Sequence, residues 1–426
     1  MKKQEELVGL SRSAIVNQMH SIKESVTKSP PRYDMHGLTR ESKLKWILKN
    51  VSRLGNHHYK YQTYPNPNIN SGVFKMANEP GKEITIALLS DWASNTFESH
   101  NIANLAGEND YSVHLGDTYY VGNSKEIADN FNSSFGAPWP YGRLGSFALL
   151  GNHEMYSSGR YYFTQLLPYM GIYKGEHTNQ QEASFFCLEN DYWKIIGLDT
   201  GYNSLRGFFG IKSNPNLKLH PWQLDWLRET VQLNNDKKGI VLLSHHQYFS
   251  AFRDDDHNEP AKQLAPLLGS DRTVLWFWGH EHRLALYGCN QLPNGSKLFA
   301  RCIGTGGMPV ELGKKPGSST FGDPVNRSLV IYDERERKVI GKNNDIRLGH
   351  NGYAILKLKD NNLAVEYYDD NNNNQEGVRR LILEENWTLD KDTGKLEGKA
   401  IKDHTETGGS KLTLFSDDIN KAIKVT

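Results

Sequence analysis

Five apolar runs, each closed by a short block of polar side chains able to bind metal, constrain this chain more than any other feature. Ile84 to Leu89 leads into Asp91-Trp92-Ala93, Ser112 to Leu115 into Gly116-Asp117-Thr118-Tyr119-Tyr120, and Phe147 to Leu150 into Gly151-Asn152-His153-Glu154. Ile240 to Leu243 leads into Ser244-His245-His246, and Val274 to Trp278 into Gly279-His280-Glu281-His282. Runs in which apolar residues follow one another without alternation read as strands buried on both faces, the pattern of parallel sheet. In open α/β sheets, sites form beyond the carboxyl ends of such strands. Blocks distant in sequence are therefore expected to meet on one rim.

The chain has 426 residues, enough for more than one domain. Its 50 basic and 49 acidic residues leave a formal charge of +1, so no global field draws it to nucleic acid or to a membrane surface. That balance does not indicate nucleic acid as a partner, and it leaves a local basic patch open. Three cysteines, Cys187, Cys289 and Cys302, are no disulfide framework and read as buried thiols. The N-terminal Met1-Lys2-Lys3-Gln4-Glu5-Glu6-Leu7 carries charges with no apolar stretch after it, and no apolar run approaches the ~20 residues of a membrane span. The expectation is a cytoplasmic protein with no membrane partner.

Three segments are expected. Residues 1–80 form an N-terminal helical extension, with helical spacing in Ser11 to Val26 and Ser42 to Leu54, a break at Ser29-Pro30-Pro31, and an extended arm from Tyr59 to Asn70. Residues 81–370 alternate strands and helices; Ser124 to Phe131, Tyr161 to Leu167 and the stretch opened by His220-Pro221 are helix candidates. Gly352 to Leu358 and Leu363 to Tyr368 alternate about Asp360-Asn361-Asn362 as a hairpin does. Residues 371–426 read as a C-terminal extension, with a strand-like piece from Lys411 to Phe415.

The blocks hold two aspartates, a pair of adjacent phenols, an amide and several imidazoles. One carboxylate, Asp117, can bridge two cations, the arrangement known for phosphoryl displacement with metals about 3.5–4 Å apart. His280 and His282, two apart, project to one side of an extended chain.

On these residues the chain resembles the calcineurin-like metallophosphoesterase superfamily, and most its purple acid phosphatase branch, whose pattern is DxG, GDxxY, GNH[DE], VxxH, GHxH. The departures are Ala93 in place of Gly and Leu242 in place of Val, with Glu281 between the last two histidines. Other superfamily members carry a metal-binding histidine where Ala93 stands, and Tyr120 stands at the branch's tyrosine position. The resemblance covers residues 85 to 370 or so. It implies an α/β fold: a metallophosphoesterase-type sandwich of two sheets flanked by helices (α/β/β/α), here with the N-terminal helical extension. It implies one metal on Asp91, Asp117, Tyr120 and His282 and a second on Asp117, Asn152, His245 and His280. Fe(III) is implied at the first site and Fe, Zn or Mn at the second. The implied reaction is attack of a metal-bound hydroxide on a phosphate ester, monoesters favoured, with Asn152, His153 and His246 meeting substrate and His153 and His257 as catalytic acids. The rivals are a phosphodiesterase or nuclease on the same centre, and a non-catalytic binding protein.

Overall fold

The computed structural model describes residues 58–76, 79–132, 138–173, 179–206, 212–214, 216–252, 256–310, 312–313, 315–317, 328–336, 348–370, 379–405 and 411–425. The helices expected over Ser11 to Val26 and Ser42 to Leu54 lie outside these residues.

The apolar runs form two mixed sheets. The first has nine strands, in the order Val73–Lys75, Phe186–Glu189, Trp193–Gly197, Gly239–Ser244, Thr273–Trp278, Lys297–Ile303, Leu284–Gln291, Leu329–Tyr332 and Thr413–Leu414. The second has eight, in the order Lys395–Asp403, Arg380–Asp390, Asn362–Asp369, Gly352–Lys359, Ile84–Leu89, Tyr111–His114, Gly145–Ala148 and Gly171–Ile172. All five strands that carry the polar blocks pair in parallel. Gly239–Ser244 and Thr273–Trp278 lie side by side in the first sheet. Ile84–Leu89, Tyr111–His114 and Gly145–Ala148 lie side by side in the second. Parallel neighbours end at the same edge, so each sheet delivers its blocks to one rim.

Burial on both faces accounts for the unbroken apolar runs. In the second sheet Ile86, Leu88, Val113 and Phe147 join the core shared with the first sheet, where Phe147 stands 4.9 Å from Phe74 and 4.6 Å from Phe186, centroid to centroid. The alternate residues Ala87, Leu89 and Ala148 face a separate cluster with Ile102, Phe131 and Tyr162. Those three come from helical segments Phe97–Ala106, Ile127–Phe131 and Tyr162–Leu166. Helical segments Pro221–Trp226, Leu227–Val231 and Asn258–Leu268 supply Trp226, Val231, Leu264 and Leu268 to the core on the first sheet. This is the helix-flanked, two-sheet α/β arrangement that the resemblance implies.

The segment boundaries expected at 80/81 and 370/371 fall inside the sheets. Val73–Lys75 pairs with Phe186–Glu189. The arm before it is packed, with Tyr61 stacked on His220 at 3.8 Å and the Tyr64 hydroxyl donating to the Phe185 carbonyl at 2.7 Å. At the other end, Arg380–Asp390 and Lys395–Asp403 extend the second sheet and Thr413–Leu414 the first. The expected hairpin forms, Lys359 opposite Asn362, with Asp360 at φ 49° in the left-handed region that Asp tolerates in turns. Cys187 and Cys302 are buried free thiols and Cys289 a partly exposed one.

Candidate metal centre

Each polar block leaves its strand by a sharp turn. Asp91, Asp117 and His280 have φ of 57°, 73° and 62°, left-handed conformations that side chains other than glycine adopt at a cost and that concentrate at functional sites. Two glycines make room for the carboxylates. A Cβ on Gly151 would lie 2.1 Å from Asp117 Oδ1, and one on Gly279 would lie 1.7 Å from Ser90 Oγ and 2.6 Å from Asp91 Oδ2. The GN and GH of these blocks are thus steric requirements of a crowded rim.

The carboxylates are almost wholly removed from solvent, Asp91 at 0% exposure and Asp117 at 1%. Asp91 Oδ1 lies 3.2 Å from His282 Nε2, while its Oδ2 accepts from Ser90 Oγ at 2.7 Å and from the His280 amide at 2.9 Å. Asp117 Oδ2 lies 3.2 Å from His245 Nε2, and its Oδ1 accepts from the His153 amide at 2.9 Å. The His245 Nδ1 faces the Leu115 carbonyl at 2.9 Å, which leaves Nε2 as its donor atom, 3.2 Å from Asn152 Oδ1. A histidine with its far nitrogen anchored on a carbonyl is the usual setting of a metal ligand. Glu154, buried, knits two blocks together by accepting from the amides of Gly151, Asp117 and Thr118. Potential ligand atoms of Asp91, Asp117 and His245 lie within 4.8 Å of one another, and so do those of His245, His246 and His280.

Electrostatics point the same way. Burial alone would raise both carboxyls, but His282 beside Asp91 and His245 beside Asp117 outweigh it and hold both below the usual carboxylate range. His245 is pushed up to about 9: burial disfavours its charge, and Asp117 more than reverses that. Two buried anions draw positive charge to this spot. A proton on His245 satisfies them in part, and cations held by neutral imidazoles and carboxylates would satisfy them fully. The buried O/N donor set therefore fits two metal ions.

The structure corrects the expectation for the phenol. The hydroxyl that reaches the carboxylates belongs to Tyr119, not Tyr120. It donates to Asp91 Oδ1 at 2.7 Å and lies 3.2 Å from Asp117 Oδ2 and 3.0 Å from His282 Nε2. Asp117 and Tyr119 are two residues apart and turn to one side of the loop, which Ala93 anchors by accepting from the Tyr119 amide at 3.1 Å. Tyr120 packs with Val121 and Met308, and its carbonyl lies 2.7 Å from His153 Nδ1. In that contact Nδ1 donates to the carbonyl, and Nε2 faces Asp117 Oδ2, 3.8 Å away. With two tyrosines adjacent in sequence, only the backbone path distinguishes them. His257, a catalytic candidate, is buried, with its ring centroid 5.5 Å from that of His246.

Asp199 ends the strand Trp193–Gly197 by accepting from the amides of Gly201 and Tyr202, both at 2.9 Å, and from Ser184. Burial raises its carboxyl to about 6 from an ordinary 3.8, although these hydrogen bonds oppose the rise. The folded state therefore holds this proton more tightly than the unfolded chain. The stability it lends is complete below pH 3.8 and is lost as the pH rises through about 6. Asp199→Asn should accordingly gain stability relative to the parent between about pH 4 and pH 7, by up to about 3 kcal/mol. Urea unfolding of both proteins across that range measures the difference, and a constant gap contradicts it.

Residues 84–284 match the family model of the calcineurin-like phosphoesterases. The stretch with this similarity holds all five polar blocks. Among solved structures, GAP50 of Plasmodium, the anchor in the inner membrane complex, is 13% identical over 74% of this chain and 91% of its own, with a TM-score of 0.41. The purple acid phosphatase PPD1 of yellow lupin seeds is 13% identical over 68% of this chain and 52% of its own, with a TM-score of 0.42. PhoD is 13% identical over 78% of this chain and 74% of its own, with a TM-score of 0.46. No curated protein shows significant sequence similarity to the chain. Among the described residues, no helix is long and apolar enough to cross a membrane.

Proposed function

We propose that the chain is a phosphoester hydrolase of purple acid phosphatase type, built on a binuclear metal centre. The observation that carries this reading is the convergence of Asp91 and Asp117, both buried, with His245, His282 and the Tyr119 hydroxyl, from loops that end strands of two sheets. Asp91, Asp117, Tyr119 and His282 would hold one ion; Asp117, Asn152, His245 and His280 would hold the other. When bound, two such cations supply Lewis acidity toward a phosphoryl oxygen and a nucleophile drawn from water at neutral pH.

The chain's own groups do the rest. Asp117 stands between both ligand sets, so its carboxylate fixes their spacing. The His153 Nε2 faces the centre from a partly buried ring whose Nδ1 is held by the Tyr120 carbonyl; as the imidazolium it would donate from Nε2 to a phosphate oxygen and give that proton to the departing alkoxide. Asn152 at the rim offers its amide to the same phosphate. His257 would be a second proton source.

Tyr119 bears on metal identity. Burial first, then Asp91 and Asp117, raise its phenol well above the ordinary range. A phenol oxygen in the ligand set suits a trivalent ion, as the resemblance implies: Fe(III) at the first site, with Fe, Zn or Mn at the second. Tyr119→Phe should abolish a phenolate-to-iron absorption band in the visible, while Tyr120→Phe should keep it. Absorption spectra of the two iron-loaded variants decide the matter: loss of the band in Tyr120→Phe alone would restore the motif register.

Elemental analysis together with p-nitrophenyl phosphate and its bis ester tests the function. Two metals per chain and faster monoester cleavage are expected. Preference for the diester would move the assignment to a phosphodiesterase or nuclease on the same centre, and no cleavage of either would overturn it.

A further inference from the structure

His246 stands outside the two ligand sets just given, yet it is packed against one of them. The strand Gly239–Ser244 ends just before it, and the chain then leaves extended geometry, so His245 and His246 do not point to opposite faces as strand neighbours would. Their ring centroids are 4.8 Å apart; His246 lies 4.7 Å from His280, and His245 lies 5.2 Å from His280. The three rings make a nearly regular triangle, and one donor nitrogen from each falls within 4.8 Å of the other two. His246 is only 4% exposed. Three imidazoles meeting at one point, two of them buried, make a set of nitrogen donors suited to one cation.

Second contacts prepare His246 as they prepare His245. The His245 Nδ1 faces the Leu115 carbonyl at 2.9 Å. The His246 Nδ1 lies 3.2 Å from the Thr200 hydroxyl, whose oxygen also accepts the His246 amide at 3.0 Å. In both rings Nδ1 is engaged by an oxygen of the protein, the kind of outer contact that orients metal-bound histidines.

We propose that His246 is a further protein ligand of the second metal, making it a three-imidazole site completed by Asp117 and Asn152. This rests on the binuclear reading above and deepens it. It gives His246 a task other than the substrate contact expected from sequence. A set richer in nitrogen than in oxygen favours zinc or ferrous iron over magnesium, calcium or manganese, which prefer carboxylate, carbonyl and water. The second site is therefore zinc- or iron-selective.

The test is metal binding by the purified full-length chain. Zinc is titrated by equilibrium dialysis with manganese as competitor, and the visible spectrum of the cobalt(II)-loaded protein is recorded for the parent, His246→Ala, His246→Gln and Thr200→Val. The parent is expected to bind two zinc ions per chain. Both His246 variants should lose zinc affinity at one ion only, by at least about 10-fold, and shift the cobalt bands; Thr200→Val should show a smaller loss of the same kind. The Gln variant keeps a side chain of similar bulk in case the Ala variant fails to fold. Two zinc ions in the parent with affinity and cobalt bands unchanged in the His246 variants overturn the proposal and leave the binuclear reading standing. Fewer than two ions in the parent overturn both.

Discussion

Asp117→Asn is expected to fold as the parent does and to lose phosphoester hydrolysis by about 1,000-fold or more, the effect of withdrawing several kcal/mol of charge stabilisation from a phosphoryl transfer. The substitution keeps the shape of a side chain that is 1% exposed and packed against Gly151. It removes the negative charge that faces His245 Nε2 at 3.2 Å and lies near the Tyr119 hydroxyl. A neutral amide cannot bridge two cations. Without that charge, His245 should titrate nearer its ordinary range, since Asp117 is what raises it against the effect of burial. Circular dichroism and thermal melting check the fold; turnover of p-nitrophenyl phosphate and metal content check the site. Hydrolysis within 10-fold of the parent, with metals retained, contradicts the central place given to Asp117.

The second large effect is on stability and lies away from the metals. Arg301, on strand Lys297–Ile303 of the first sheet, forms a two-pronged pair with Glu385, on strand Arg380–Asp390 of the second: Nε to Oε1 at 2.9 Å and Nη2 to Oε2 at 2.6 Å, both side chains at 0% exposure. Glu385 also accepts from the Tyr367 hydroxyl at 2.7 Å, and Arg301 donates to the carbonyls of Tyr287, Ala300 and Ala422. One ion pair thus joins both sheets and the C-terminal segment. Burial disfavours the guanidinium, and Glu385 more than compensates. Glu385→Ala leaves that cation buried without its counter-charge and should cost about 3–5 kcal/mol. Replacing both partners with apolar residues, as in the double variant Arg301→Met with Glu385→Leu, should cost far less. Urea denaturation of the single and double variants separates the two cases; equal losses would contradict the ion-pair account.

How much of this was legible before the fold was known differs by element. The strands that carry the five polar blocks could be read because strands buried on both faces leave continuous apolar runs, and Gly151 and Gly279 stand where neighbouring carboxylates leave no room for a Cβ. The hairpin at Asp360 was legible from its alternation about an Asp-Asn-Asn turn. The flanking boundaries were not. Strand Val73–Lys75 is three residues long, and the strands after residue 380 alternate with many charged side chains, so neither signals that it completes a sheet. The choice of Tyr119 over Tyr120 was out of reach as well, since it depends on the backbone path after Asp117. So was the approach of His246 to His280, which joins the ends of two neighbouring strands. The buried Arg301–Glu385 pair links residues 84 positions apart and has no local signature.

The most direct measurement is a crystal structure of the metal-loaded protein with anomalous scattering recorded at the iron and zinc edges. Two adjacent peaks about 3.5–4 Å apart are expected, with the Asp117 carboxylate between them, the Tyr119 oxygen on one and the His245 and His280 nitrogens on the other. A single peak, or two peaks with Asp117 touching neither, would contradict the account.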